Sequence, residues 1–398
     1  MKVLHINTFG NLSTGRIACD LCKMLEQKGD EGIVAFARNT LADDVPKIKI
    51  GNVFNIYKDG LMTRITGKAG FFSTKATKEL IRDIIDYNPD IIHLHNLHGY
   101  YINIKVLFDF LRKFDKPVVW TLHDCWAFTG HCCYYSMVKC NKWENKCFKC
   151  KYKLAYPSSL VDNSEWNFEE KKRIFLSLPK LTIVTVSNWL ANEVSKSFLK
   201  SVPIRVIYNG VNKAVFKPTG SNFRSIYGLK DKVIILGVAS TWDKRKGLDD
   251  FITLSKAIDE RYQIVLVGLT KKQINKLPDN IIGLPRTNNV LELVKIYSAA
   301  DVLFNPSMEE TFGMTIIEAA FCGTVSIVYD VTACPEIANI ADGYIVQPHN
   351  IDAVVNKLQN VVPKVGVVAP IKGIVDKYDV NVSYEKYYKL YSEVFKRV

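Results

Sequence analysis

An alternation of short β-branched runs with longer amphipathic stretches constrains the fold most, and it occurs twice along the chain. In the first half the runs KVLHINTF, DIIHLHN, VVWTLHD and LTIVTVS alternate with stretches of helical periodicity. After PIRVIYNGV the alternation restarts with VIILGVAS, QIVLVG, VLFNPS and VSIVYD. Because these runs are apolar almost throughout, they predict parallel strands that helices cover on both faces.

This pattern predicts an α/β protein made of two doubly wound domains. The length of 398 residues agrees, because a single core stops growing at about 250–300 residues. We predict a first domain over 1–205, a second over 206–380 and a closing helix over 381–398. An irregular stretch near 129–160 interrupts the first domain, and a loop of that length is usually functional or held by a staple of its own.

The net charge and the length of the apolar runs limit where in the cell the protein is expected and which partners it can bind. The start MKVLHINTF lacks the order of a secretory signal, and no apolar run reaches the roughly 18–20 residues of a membrane span, so we expect a cytoplasmic protein. The net charge of +13 suits phosphorylated ligands, an anionic membrane or nucleic acid. Six lysines between Lys139 and Lys153 predict peripheral attachment at the inner membrane face; a solvated face is the alternative.

The residues that follow the strands carry the chemistry, because ligands of open α/β sheets bind beyond the carboxyl ends of the strands. After VLFNPS comes MEETFGMTIIE, a turn with glycine and then a helix whose N-terminus suits a diphosphate. Glu310 and Glu318 fit this site as acceptors for hydroxyl groups. Eight helical residues span about 12 Å, more than the roughly 5–9.5 Å of glycosidase pairs, so hydrolysis is disfavoured.

Further motifs at strand ends accompany this one: STGRIA, TLHDCWAFTGHC, IYNGVN, WDKRKGL, and GTVSIVYD with a Pro-Glu pair after it. Together they resemble the retaining glycosyltransferases of family 4, especially the bacterial exopolysaccharide branch of the colanic-acid type. The resemblance implies the GT-B fold, two Rossmann-like doubly wound domains facing a central cleft. It also implies transfer of a hexose or N-acetylhexosamine, with retention, from a nucleotide-diphosphate sugar, expected to be UDP-linked, to a glycan or polyprenyl-linked acceptor.

The resemblance assigns roles to particular residues of the second domain. Glu310 is implied to hold donor-sugar hydroxyls, Glu318 the ribose, and the backbone N–H groups of Met314 and Thr315 the diphosphate. Lys246 is implied to neutralise the leaving phosphates, whose charge grows in the transition state. The other donor-binding residues expected in this domain are Arg245, Arg286, Thr287, Phe312 and Gly313. In the first domain we expect Gly15 to bind the donor, because glycine allows close backbone approach to the donor phosphate or to the acceptor. Ser240 stands where many members have an arginine, so we expect Arg245 to supply that charge, and we expect no catalytic metal.

His123 ends the strand in VVWTLHD and matches the family histidine beside the transferred sugar. A His-Asp pair at a strand end also suits a general base with its orienting carboxylate. Since the leaving phosphate is thought to assist deprotonation of the acceptor in the retaining family, the resemblance implies that His123 binds and positions the sugar.

Five cysteines crowd the predicted insertion, and the last two form a Cys-x2-Cys pair. Thiolates brought together in such a loop can hold a structural zinc ion. Taking Cys132 in preference to Cys133 by the family pattern, the predicted ligands are Cys132, Cys140, Cys147 and Cys150. A disulfide and unbonded thiols are the alternatives. We expect the remaining cysteines to lie in the core: Cys19, Cys22, Cys125, Cys322 and Cys334.

Two other classes of protein remain as alternatives. A non-catalytic GT-B subunit that binds sugar nucleotides would predict a broken motif, yet Glu310, Glu318, Lys246 and His123 are all present. A zinc-containing nucleic-acid binder would suit the charge and the cysteines. It would also need aromatic and basic residues interleaved on one recognisable module, and the sequence shows no such module, so we expect no nucleic-acid partner.

Overall fold

The computed structural model describes residues 1–11, 14–41 and 44–396. Ser13, the first residue of the STGRIA motif, lies outside the described residues. The chain divides into two compact units, one formed by 1–207 with 384–398 and the other by 208–383. The predicted boundary lay two residues earlier, and the predicted closing helix is divided between the two units.

The first unit is a sheet of parallel strands in the order β3-β2-β1-β4-β5-β6-β7. Its strands are β1 (Lys2–Phe9), β2 (Glu31–Arg38), β3 (Lys47–Lys49), β4 (Ile91–Leu94), β5 (Val118–Leu122), β6 (Leu181–Thr185) and β7 (Ile204–Val206). Its helices are α1 (Thr14–Gln27), α2 (Val53–Thr66), α3 (Thr74–Tyr87), α4 (Ile104–Phe114), α5 (Ser164–Phe175) and α6 (Asn188–Lys196). Every residue of β4, β5 and β6 is buried, as predicted for strands covered on both faces.

The second unit repeats this topology with the strand order β10-β9-β8-β11-β12-β13. Its strands are β8 (Val233–Val238), β9 (Tyr262–Val267), β10 (Ile281–Leu284), β11 (Val302–Asn305), β12 (Val325–Tyr329) and β13 (Tyr344–Val346). Its helices are α7 (Phe223–Ile226), α8 (Leu248–Ala257), α9 (Lys271–Ile274), α10 (Val290–Ala299), α11 (Met314–Phe321), α12 (Cys334–Ile340), α13 (Ile351–Leu358) and α14 (Ile374–Tyr378). The order of strands reverses between β8 and β11, and ligands of such sheets bind at this switch point.

The C-terminal helix α15 (Val380–Phe395) completes the first unit. Tyr387 and Tyr391 are buried in a core that also contains Val3 of β1, Ile91 of β4 and Val119 of β5. The end of the chain therefore covers one face of the N-terminal sheet.

Candidate functional site

The switch point of the second sheet brings together the two residues that were assigned to the reacting phosphate and sugar. Lys246 lies in the turn after β8 and Glu310 in the turn after β11. The Lys246 ammonium forms an ion pair with the Glu310 carboxylate, and the two side chains are only 19% and 17% exposed. Asp243 accepts a hydrogen bond from the Lys246 backbone N–H at 3.1 Å, and the Glu310 N–H donates to the Thr332 hydroxyl at 3.1 Å. The Lys246 backbone is thus fixed by its own turn, and the Glu310 backbone is fixed by the segment that follows β12.

Helix α11 begins directly after this turn. Gly313, at φ 93°, precedes the helix in a conformation that favours glycine. Met314 and Thr315 are the first helical residues, so their N–H groups lack partners within the helix. Further along, the Glu318 carboxylate accepts a hydrogen bond from the buried Tyr297 hydroxyl at 2.9 Å. One helix therefore presents both an anion-binding end and an oriented carboxylate.

The other predicted donor residues lie around this centre. Arg245 donates through Nη1 to the Glu309 carbonyl at 3.1 Å, and its own carbonyl accepts from Met308 N–H at 2.9 Å, so it joins the two turns. Phe312 is buried, with its ring centroid 6.1 Å from that of Tyr208. Arg286 and Thr287 follow edge strand β10, two strands from β8. They share the carboxyl end of the sheet with Lys246.

A cavity that the motifs did not predict lies at the carboxyl ends of β8 and β9. It has a volume of about 390 Å³, and Thr241, Trp242, Gly268, Thr270 and Gln273 contribute to its lining together with Ser240. Gln273 donates to the Trp242 carbonyl at 2.9 Å and so fixes this wall. Position 240, where a family arginine is missing, thus borders open space.

Gly15 has a structural explanation within its own unit. A Cβ atom added there would lie 2.4 Å from the Phe9 carbonyl oxygen and 2.7 Å from that of Gly10. Helix α1 can therefore pack this closely on the end of β1 only with glycine at this position. The predicted role in donor binding remains a prediction.

A row of histidines crosses the first sheet beneath its carboxyl end. His95 Nε2 lies 3.3 Å from His5 Nδ1, and His95 Nδ1 lies 3.3 Å from His123 Nε2. His93 contacts the Tyr391 hydroxyl at 2.6 Å and the Thr121 hydroxyl at 2.7 Å. Although His5, His93 and His95 lie close enough to share a metal ion, both ring nitrogens of His93 and of His95 already have protein partners.

Burial keeps this row uncharged. It lowers the pKa of His5 to about 3 and that of His123 to about 4, although Asp124 pulls the latter upward. His93 and His95 have pKa values well below the ordinary range for the same reason. At neutral pH His123 is therefore a neutral imidazole, which suits hydrogen bonding to a sugar hydroxyl better than acid catalysis.

Asp124 pairs with a different histidine. Its carboxylate contacts His98 Nε2 at 2.6 Å, and His98 Nδ1 lies 3.1 Å from the Tyr156 hydroxyl. Burial acts to raise the pKa of Asp124, but His98 outweighs this and holds it below the ordinary value. The carboxylate thus holds His98 by direct contact and acts on His123 through its charge.

The cysteine-rich insertion encloses a small cavity. The four predicted zinc ligands, Cys132, Cys140, Cys147 and Cys150, all line this space of about 140 Å³. All four are unbonded thiols. A hydrogen bond from Cys132 lowers the pKa of Cys150 to about 7, so this sulfur is the readiest to act as a thiolate. Across the described residues, no three of these sulfurs lie within 4.8 Å of one another. The expected core cysteines Cys19, Cys22, Cys125, Cys322 and Cys334 are all buried.

Comparison with known proteins agrees with this geometry. Residues 14–215, about half of the chain, match the description "Glycosyltransferase Family 4", and residues 221–364 match "Glycosyl transferases group 1". The putative colanic acid biosynthesis glycosyl transferase WcaC of Escherichia coli is 30% identical over 32% of each chain. The O-antigen chain mannosyltransferase RfbU of Salmonella typhimurium is 25% identical over 56% of this chain and 62% of its own length. The chain thus matches about one third to three fifths of these relatives.

Solved structures share the fold over the whole chain. Sucrose-phosphate synthase from Thermosynechococcus elongatus superposes with a TM-score of 0.70 at 16% identity over 100% of both chains. Anabaena HepE superposes with a TM-score of 0.67 at 15% identity over 99% of this chain and 100% of its own. The fold defines a protein with two parallel-sheet, Rossmann-like α/β units. The chain belongs to glycosyltransferase family 4, as the match to its first half shows.

Proposed function

We propose that this chain transfers a hexose or N-acetylhexosamine from a UDP-sugar, with retention of configuration, to a glycan or lipid-linked acceptor in surface-polysaccharide synthesis. The pairing of Lys246 with Glu310 beside the N-terminus of α11 carries the proposal. The nature of the relatives supports it: WcaC is named for colanic acid biosynthesis, and HepE structures are described in complex with UDP and with UDP-glucose.

The groups of the second unit suit the parts of such a donor. The N–H groups of Met314 and Thr315 and the positive end of the α11 dipole bind the diphosphate. Lys246 neutralises the phosphate charge that grows as the bond between phosphate oxygen and the sugar C1 breaks. Glu310 accepts hydrogen bonds from sugar hydroxyls, and Glu318, held by Tyr297, accepts from the ribose.

The configuration at the sugar C1 is retained if the acceptor attacks from the same face of the sugar that the diphosphate leaves. The acceptor oxygen then bonds to C1 while its proton passes to the departing phosphate oxygen, so no protein base is required. His123 keeps the role of a neutral hydrogen-bonding group for the sugar.

Donor hydrolysis tests this proposal without knowledge of the acceptor. Among UDP-, GDP- and ADP-sugars, we expect slow release of nucleotide diphosphate from a UDP-hexose or UDP-N-acetylhexosamine. Lys246→Ala should abolish it, while Lys244→Ala, an exposed lysine of the same turn, should retain it. UDP binding without hydrolysis or transfer to any acceptor would favour the non-catalytic subunit.

We also propose that the insertion holds a structural zinc ion through Cys132, Cys140, Cys147 and Cys150. Four cysteines around one cavity fit the ligand set that zinc prefers, with Zn–S bonds of about 2.3 Å. Binding at that distance requires the thiols to draw closer together than they stand here. The ion would supply a staple for a segment in which short 3-10 turns are the regular structure.

Elemental analysis under reducing conditions tests the zinc site. We expect about one equivalent of zinc per chain, lost in Cys147→Ser and in Cys150→Ser but kept in Cys133→Ser, whose sulfur does not line the cavity. Chelation should increase hydrogen exchange in the insertion before either sheet unfolds. If the purified wild-type protein contains no metal, the proposed zinc site is wrong.

A further inference from the structure

A large groove in the first unit lies apart from every motif in the sequence. Its volume is about 770 Å³, and it lies between the end of β2, helix α2 and the segment after β4. Three cations contribute to the lining, Arg38, Lys49 and Arg64, and of the described residues that line it none is acidic. The groove is therefore suited to an anion.

One of these cations has unused hydrogen-bonding capacity. Arg38 donates through Nη2 to the Gly99 carbonyl at 2.9 Å, and its guanidinium lies 5.8 Å from the centre of the Tyr100 ring. These contacts fix the side chain at the groove, yet its buried Nε has no hydrogen-bond partner within the described parts of the chain. A buried donor without a partner is costly, and an anion beside the guanidinium would offset this cost through its charge.

The helix that forms one wall is apolar on its outside. Val53, Tyr57 and Leu61 line the groove and yet are 67%, 75% and 59% exposed. Their spacing of four residues places them in one row along α2, and Ile65, 50% exposed, continues the row. Amphipathic helices of a globular protein normally turn such a row toward the core, so this row is suited to a hydrocarbon ligand.

The groove leads toward His123 along the carboxyl end of the sheet. The Tyr100 ring lies 5.8 Å from that of Tyr156, whose hydroxyl contacts His98, the partner of Asp124. Strands β2 and β5 are three spacings apart in the sheet, or about 14 Å. That distance leaves room for a sugar between an anion in the groove and His123.

We propose that this groove binds the lipid anchor of the acceptor, an isoprenoid diphosphate, and the inference rests on the lipid-linked acceptor of the proposed function. The diphosphate lies against Arg38, Lys49 and Arg64, and the first isoprene units lie along Val53, Tyr57 and Leu61. A flat bilayer surface would cover the exposed apolar row, but its headgroup phosphates would have to leave the surface to reach the cations inside the groove. A second protein chain would not call for three cations without a carboxylate.

Calorimetric titration with farnesyl diphosphate, inorganic diphosphate and farnesol separates the two parts of the site. We expect farnesyl diphosphate to bind at least about tenfold more tightly than either fragment. Lys49→Ala and Arg64→Ala should each weaken the binding of farnesyl diphosphate and of inorganic diphosphate by about tenfold or more, which is the effect of losing one charge-assisted contact. Tyr57→Ser combined with Leu61→Ser should weaken the binding of farnesyl diphosphate and leave the binding of inorganic diphosphate unchanged.

Matched controls lie on the same surface. Lys58→Ala removes an exposed cation of α2 that does not line the groove, and Ile85→Ser removes an exposed apolar side chain of α3. Neither should change binding. Equal affinity for farnesyl and inorganic diphosphate, or binding unaffected by Lys49→Ala and Arg64→Ala, would overturn the inference.

The outcome is also separable from bilayer attachment, from self-association and from failure of the proposed function. Adsorption to phosphatidylglycerol vesicles without affinity for farnesyl diphosphate would assign α2 to the membrane surface, and a dimer dissociated by the Tyr57 and Leu61 changes would assign it to a second copy. Either result would contradict the lipid-anchor site. Donor hydrolysis is measured without acceptor, so its presence alongside absent farnesyl diphosphate binding would reject this inference alone.

Discussion

The two units share a strand order but differ in how their functional residues are supplied. In the second unit, Lys246, Glu310 and Glu318 come from two turns and one helix directly after neighbouring strands. In the first unit, the groove combines the end of β2, helix α2, the segment after β4 and Ser158 of the insertion. The same topology thus places a compact cluster of charged residues in one unit and a distributed, partly apolar groove in the other.

The difference extends to electrostatics. The second unit joins opposite charges directly, through the Lys246–Glu310 pair. The first unit buries a row of neutral histidines, His5, His93, His95 and His123, whose pKa values burial lowers. A charged pair suits a ligand whose charge changes during reaction, whereas neutral imidazoles suit hydrogen bonding to hydroxyl groups.

The largest effect is expected at Glu310. Glu310→Ala should lower turnover of the intact donor by about 10²–10³-fold, the usual cost of losing one contact to the reacting group, while UDP affinity changes little because UDP carries no sugar at that position. Initial rates and a UDP titration measure the two quantities. Asp249→Ala, an exposed carboxylate at the start of α8, serves as the control. An equal fall in turnover and UDP affinity would contradict the assignment to the sugar.

A smaller effect, confined to binding, is expected at Glu318. Loss of a charged acceptor for the ribose should weaken UDP by about 1.5–3 kcal/mol, or roughly 10–150-fold. Tyr297→Phe removes the hydroxyl that orients Glu318 at 2.9 Å and should weaken UDP less. Calorimetry with UDP, GDP and ADP decides the matter, and unchanged affinity of Glu318→Ala for every nucleotide that the wild type binds would exclude Glu318 from the site.

Acid should destabilise the first unit more than the second. The pKa of His123 falls from 6.5 to about 4 on folding. Between these values the unfolded chain therefore binds protons that the folded chain does not, and stability drops as pH falls through this window. His349, the histidine of the second unit, has a side chain that is 62% exposed.

Replacing His5 isolates this effect. Its Nε2 is buried without a hydrogen-bond partner among the described residues, whereas its Nδ1 is the partner of His95 Nε2 at 3.3 Å. His5→Phe should therefore lower stability at pH 8 by about 1–3 kcal/mol, and its effect at pH 5 should be about 1–2 kcal/mol more favourable than at pH 8. Urea unfolding at both pH values measures the difference, with His349→Ala as the control. The same change in stability at pH 5 and pH 8 would show that the histidine row does not govern acid stability.

The sequence was most informative where the candidate functional residues are close together in the chain. Glu310, Phe312, Gly313 and Glu318 lie within one motif, and a turn at the end of a parallel strand places them at the ligand-binding edge. His93 and His95 are two residues apart at the end of β4, and alternate strand residues point the same way, but no site was predicted from them. Their meeting with His5 depended on the register of β1 and β4, in which His5 pairs with His93, and single-sequence patterns do not fix register.

Helix α2 shows what sequence reasoning missed. Its apolar residues recur every four positions, yet neither the helix nor its exposure was predicted. Asn52 and Asn55 form a capping box that marks its start, and this signal was available. Periodicity alone shows that the apolar residues form a row, but it does not show whether the row faces the core or the solvent. The packing of the rest of the first unit decides this.

The smallest effect for each residue replaced is expected from the lysines of the insertion, on which the sequence prediction of membrane attachment rested. Lys146 already pairs with Glu165 at 2.7 Å, so we expect less from it than from Lys149, Lys151 and Lys153. Reversing these three to glutamate should lower retention on phosphatidylglycerol vesicles by on the order of fivefold for each lysine at low salt. The loss should vanish at high salt, where screening shortens the field. Apolar contacts of α2 would persist in salt, so vesicle sedimentation across a salt series separates the two surfaces. Retention insensitive to both salt and charge reversal would show that the lysine run is only a solvated face.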